Sequence, residues 1–430
     1  MKHTVTEVTL TNGVKGLLVH IPDATVLTCE INFRAGEYLL KRDKWETAHL
    51  LEHLIFNANE RYSRAKDFQR EIEKNGAYYN ASTGAYDITY EVECADFEWE
   101  RVMELFIFAI TKPLFLDEEF QAEFGNVKEE LIARSNNHFR HLGLALRESY
   151  GLCAMTDQER VEKMQNVNLD DVRAHYKDTH TTDNIRFVVA GKLPPTRQDV
   201  IQKMFDSIAL PTKDGRKKLL IEKPQDLHKP LLIPNKTVDN VYFYIDTFMS
   251  RWMENTETDA LALANNMLTE TLHSRIFGAA REQGLVYGMS SSYARWNGGS
   301  NWWFAAQVMP QNMIQLFDII VREISFLRSG KINDQDIIDA KQYALGRYQR
   351  SAQTVAGTAS GYSNRYFFDD HIEDYYEIPQ RIDNVTKEEL VTVANALFNE
   401  NIGGLGVLGN CSQKFVEELL PHIKPLWDKN

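Results

Sequence analysis

No apolar run in this sequence of 430 residues approaches the roughly 18 residues that a membrane-crossing helix needs. A helical membrane protein is therefore excluded, and no membrane partner is expected. Cysteine is scarce and scattered. Cys29, Cys94, Cys153 and Cys411 form no C-x-x-C pair, so neither a disulfide framework nor a thiolate metal site is expected, and buried free thiols in a reducing compartment fit better. Positive charge is in deficit, with 48 Lys and Arg against 61 Asp and Glu for a net charge of −13. Phosphate backbones need a basic surface, so nucleic acid is excluded as a partner. The amino-terminal MKHTVTEVTL has neither the apolar core of a signal peptide nor the Arg-rich, acid-poor character of a transit peptide. A cytoplasmic location is expected.

What the sequence does contain is three polar side chains in an apolar stretch, Ala48-His49-Leu50-Leu51-Glu52-His53-Leu54. The pattern predicts a helix over Thr47 to Asn57, with Leu50, Leu51, Leu54 and Ile55 on its buried side. His49 and His53 then stand one turn apart, so that their imidazoles converge on one ion. Glu52 is close enough to both to reach a water on that ion without being a ligand. Neutral imidazole suits zinc, and a free carboxylate can take a proton from an activated water. A catalytic zinc site has three protein ligands and one open position, so a third ligand is required.

Candidates for it lie in a stretch predicted as one long helix from Asp117 to Tyr150. Glu123 and Glu130 are two turns apart and share a face, whereas Glu129 points about a quarter-turn away. Gly125 between them is a poor helix former, tolerable if it lets another helix approach closely.

H-x-x-E-H followed, after 76 further residues, by Glu130 resembles the signature of the pitrilysin-like (insulinase, M16) zinc metallopeptidases. Glu123 matches the family's accessory Glu, and Gly76-Ala77-Tyr78-Tyr79-Asn80-Ala81-Ser82-Thr83 resembles its G-x-x-N-A-x-T strand. The resemblance implies one Zn²⁺ per chain held by His49, His53 and Glu130, with Glu52 as general base and Glu123 supporting the ligand shell. It implies further that an extended peptide substrate pairs with the strand at Asn80 and Ala81. One departure stands out: Glu46 occupies the position, three residues before the first His, where the family usually has Gly.

Elsewhere the chain reads as alternating strands and helices. Short β-rich runs flank a turn at Asn12-Gly13, and a helix from about Ala65 to Asn75 ends at Gly76. Asn166 to Gly191 and Asn384 to Gly409 align without gaps at an offset of 218, each an Asn-Val lead-in, a capped helix and an apolar strand ending in Gly. Half a chain of offset implies two copies of one domain. The expected fold is α+β, two homologous domains, each a largely antiparallel sheet with helices packed on one side. The expected division is a zinc-binding domain at 1–212, a Lys- and Pro-rich linker at 213–236, and a second domain at 237–430.

No H-x-x-E-H recurs in the second half, so that domain is not expected to bind zinc in the same way. Arg281-Glu282-Gln283-Gly284-Leu285-Val286-Tyr287 resembles the family's R-E-x-x-G-L-x-Y element, one residue short, and implies Arg281 and Tyr287 as donors to a developing oxyanion. Helix is predicted over Asp259 to Glu282, an aromatic strand at Trp302-Trp303-Phe304, and a cavity lining in the small and aromatic residues from Val355 to Tyr376. Family members of this length act as dimers enclosing a chamber. The resemblance thus implies a zinc-dependent endopeptidase cleaving extended peptides as a homodimer. The alternatives are a heterodimer with a related chain, or a non-catalytic assembly subunit.

Overall fold

In a computed structural model describing residues 1–213, 215–351 and 353–427, the β-branched and aromatic runs form eleven strands in two sheets. The first six are β1 Thr4–Thr9, β2 Lys15–His20, β3 Val26–Phe33, β4 Tyr78–Thr83, β5 Ile88–Ala95 and β6 Ile185–Gly191. They pair in the order β1-β2-β6-β3-β5-β4, with β2 and β6 parallel and every other pair antiparallel. The second sheet contains β7 Leu231–Pro234, β8 Val241–Met249, β9 Met289–Trp296, β10 Gly299–Val308 and β11 Gly403–Gly409, in the order β7-β11-β8-β10-β9. Only β7 and β11 are parallel.

From β2 onward the two orders are the same when strands are counted along the chain, and among the described residues β1 alone has no counterpart in the second sheet. The internal repeat is therefore structural. Both of its copies carry a capping box, Asn168 with Asp171 and Thr386 with Glu389, ahead of helices Leu169–Thr179 and Lys387–Asn399 that lead into β6 and β11. The fold is α+β with two mixed, mostly antiparallel sheets.

Compact units do not follow chain order. The first gathers Met1–Ala133, Asp157–Leu220 and Gln349–Tyr375; the second gathers Arg134–Thr156, Ile221–Tyr348 and Tyr376–Asn430. Asp214, within the Lys- and Pro-rich stretch, lies outside the described residues. In the first unit, β5 alternates buried and half-buried residues, while every residue of β6 is buried. Alternation marks a strand covered on one face, and continuous burial one covered on both. The helices Glu46–Ile55, Trp99–Thr111, Leu169–Thr179 and Pro195–Asp206 build the main core. Helix Val355–Asp369 packs against β3 and β6, with the Ser360 and Ser363 hydroxyls bonded to Glu30 and Asn32. The stretch expected to line a cavity is thus a helix covering a sheet.

Three expectations change. The long helix from Asp117 breaks after Ser135 and restarts as His138–Ser149, because the Asn137 side chain accepts from the Arg140 amide and caps a new helix. Gly125 faces open space, with nothing within 4 Å of an added Cβ among the described residues, so none of their helices packs closely there. The run from Asp259 to Glu282 is an α-helix, Asn255–Asn265, then a π turn at Asn266–Glu270 and a separate helix Phe277–Glu282. Gly76 follows its helix with φ of 83°, as its position requires.

Candidate metal centre

Helix Glu46–Ile55 buries Leu50, Leu51, Leu54 and Ile55 in the core of the first unit, which turns His49 and His53 together toward helix Asp117–Ser135. Their rings lie 4.9 Å apart, and the Nε2 atom of each is 3.3 Å from Glu130 Oε2. One ligand atom from each of the three residues lies within 4.8 Å of the others. Glu129, on the same helix, is exposed.

The opposite ring nitrogens are both engaged by carboxylates. His53 Nδ1 bonds Glu123 Oε2 at 3.0 Å, and His49 Nδ1 bonds Glu46 Oε2 at 3.0 Å. Glu123 is itself held by the Asn57 and Asn126 side-chain amides, at 3.2 and 3.1 Å. A carboxylate on Nδ1 fixes the ring and leaves Nε2 facing the shared point, the arrangement that metal-ligating histidines use.

Electrostatics agree with this fit. Burial pushes the His53 pKa down, but hydrogen bonds to Glu123 and Glu130 outweigh it and push the group up to about 9. His49 is raised against its own burial in the same way, by Glu130 and Glu46. The carboxylates demand positive charge at this point, and a divalent cation with two imidazoles and one carboxylate meets that demand.

Glu52, half-buried beside the two histidines, accepts a hydrogen bond from the Thr83 hydroxyl at 2.9 Å. Thr83 ends β4, and β4 is the edge of its sheet, so one side of its backbone has no strand partner among the described residues. Ala81 on that strand packs against the core and pairs with Tyr90. Asn80 is exposed and donates to Glu91 Oε1 at 3.2 Å.

Arg281 and Tyr287 belong to the second unit. The Arg281 guanidinium donates to the Tyr287 carbonyl and sits 5.1 Å from its ring centroid. The Tyr287 side chain, 88% exposed, borders a cleft of about 430 Å³ with Leu285, Met289 and Met309. The two residues touch each other despite the shortened spacing.

Sequence reasoning missed the partners of the motif. Thr83 was within the quoted strand motif, but its bond to Glu52 depends on β4 ending beside the motif helix. Glu46 was visible only as a departure. Arg160, which binds Glu46, had no sequence signal at all.

Residues 17–152 match the family described as Insulinase (Peptidase family M16), and residues 166–343 match Peptidase M16 inactive domain. The chain belongs to the M16 insulinase family. It is 20% identical to the "Uncharacterized zinc protease YmxG" of Bacillus subtilis (strain 168), over 91% of this chain and 95% of that protein. It is 25% identical to the "Zinc protease PqqE" of Helicobacter pylori (strain ATCC 700392 / 26695), over 50% of this chain and 53% of that one. The crystal structure of a protease from Helicobacter pylori superposes with a TM-score of 0.83 at 18% identity, covering 95% of this chain and all of the other. Among the described residues, no helix is long and apolar enough to cross a membrane.

Proposed function

We propose that this M16 chain is a zinc-dependent endopeptidase that hydrolyses extended peptides, with His49, His53 and Glu130 as the metal ligands and Glu52 as the general base. The observation that carries the reading is the convergence of three donor atoms within 4.8 Å, beside the Glu52 carboxylate, which is tied to an edge strand. Bound zinc would supply a Lewis acid that polarises the scissile carbonyl and acidifies a water.

The chain's own groups do the rest. Glu123 holds the His53 ring in place through Nδ1. The peptide adds to the free edge of β4 at Asn80 and Ala81, which fixes its backbone in extended form and presents one carbonyl to the site. Glu52 takes a proton from the attacking water on its carboxylate and then delivers it to the leaving amine nitrogen. The Thr83 hydroxyl, bound to one Glu52 oxygen, keeps the carboxylate aimed while the other oxygen works.

Tyr287 and Arg281 are proposed as donors to the developing oxyanion. They would be supplied by the second unit of the other subunit in a chamber-forming homodimer. Glu52→Gln and Arg281→Ala chains, each inactive alone, would then regain activity on subunit exchange, because one mixed site has both elements intact. No regain despite proven exchange removes the trans arrangement.

The peptidase reading is tested by incubating the full chain with a mixture of unstructured peptides and reading products by mass spectrometry. Cleavage that a chelator abolishes and added zinc restores is expected. No cleavage at one zinc per chain would favour the heterodimer or assembly-subunit reading.

A further inference from the structure

The two ligand histidines are held from opposite directions. His53 takes its carboxylate from another helix, in Glu123, whereas His49 takes its own from three residues earlier in the same helix, in Glu46. We propose that Glu46, locked by Arg160, is a positioning residue that orients His49 and sets the affinity of the site for its metal. The inference rests on the reading of His49, His53 and Glu130 as a zinc site.

Glu46 is 1% exposed, and a carboxylate so placed is strongly destabilising unless both oxygens are paired. Both are. Oε2 accepts from His49 Nδ1 at 3.0 Å, and Oε1 accepts from Arg160 Nε. The far end of the same guanidinium, Nη2, reaches Glu37 Oε1 at 2.6 Å. Glu37 and Arg160 are 8% and 7% exposed, so the chain Glu37–Arg160–Glu46–His49 is shielded from water along its length.

The start of the helix also suits a carboxylate at Glu46. The residue lies in the first turn of its helix, where the helix dipole favours negative charge. A carboxylate accepting from Nδ1 fixes the ring and turns Nε2 toward the metal point.

Arg160 comes from helix Asp157–Met164, in the segment with which the chain returns to the first unit after Arg134–Thr156. The shell of His49 is therefore complete only when that segment has docked. Metal affinity and the folding of the first unit are linked through one guanidinium.

The test uses the full chain, with zinc affinity measured by chelator competition in the wild type, Glu46→Gln, Arg160→Lys and the double variant. Affinity about 10- to 100-fold weaker is expected for Glu46→Gln, the range for loss of a carboxylate behind a ligating histidine. Arg160→Lys should lose less, and the double variant should match Glu46→Gln, because Arg160 acts through Glu46. A purely structural role would change stability and leave affinity alone. Equal affinities in wild type and variants overturn the proposal while leaving the zinc site standing. No zinc uptake by the wild type overturns both. If the variants do not fold, ¹⁵N-histidine spectra of the zinc-loaded wild type decide. His49 metallated at Nε2 with a proton on Nδ1 is expected, and the reverse assignment overturns the role of Glu46.

Discussion

The Thr83 hydroxyl lies 2.9 Å from Glu52 Oε2, which joins the last residue of an edge strand to the carboxylate beside the proposed metal ligands. Strand and carboxylate are thereby held in one register. In the proposed reading, a peptide paired along β4 is led to the carboxylate assigned to handle its protons.

Thr83→Val keeps the shape of the side chain and removes the hydrogen bond. A bond to a charged group contributes about 1.5–3 kcal/mol, so kcat should fall about 10-fold or more. Zinc content should not change, because Thr83 touches no ligand. Steady-state kinetics with metal analysis on the same samples checks both.

Gly125 sits on the exposed side of helix Asp117–Ser135 with open space where a Cβ would be. Gly125→Ala should stabilise the first unit by about 0.5–1 kcal/mol through helix propensity alone. Zinc affinity and kcat should stay at wild-type values. Urea denaturation gives the first quantity.

Asp246 in β8 carries the clearest pH dependence. Burial pushes its pKa up to about 7, against a hydrogen bond from Asn301 and the charge of Arg147. The folded state favours the neutral acid, so this contribution is complete below the unfolded value near 4 and is lost as pH rises through about 7. Asp246→Asn should match the wild type below about pH 4 and exceed it at pH 8, by on the order of 4 kcal/mol. Tryptophan fluorescence follows this unit well, since Trp252, Trp296, Trp302, Trp303 and Trp427 all lie in it.

How far the sequence reached depended on distance along the chain. His49, Glu52 and His53 were legible because one helical turn relates them, and Glu123 and Glu130 because two turns do. The repeat was legible because each copy carries its own capping box and terminal strand. The break after Ser135 had a signal in Asn136-Asn137, overridden by the apolar periodicity on either side.

Which sheet a helix covers had no such signal. Helices His138–Ser149 and Val355–Asp369 each join a unit built mainly from the other half of the chain, and amphipathicity says only that a face is buried. The contact of Arg160 with Glu46 spans 114 residues, and nothing local to either residue announces it. The four cysteines are free, with Cys29 and Cys94 buried, as their scattered spacing suggested.

Glu52 is the residue on which the account turns, and Glu52→Gln measured beside the wild type tests it most directly. Both proteins should hold one zinc per chain, and only the wild type should cleave a mixture of unstructured peptides. Cleavage by Glu52→Gln at the wild-type rate, with zinc bound in both, would contradict the assignment of Glu52 as the base.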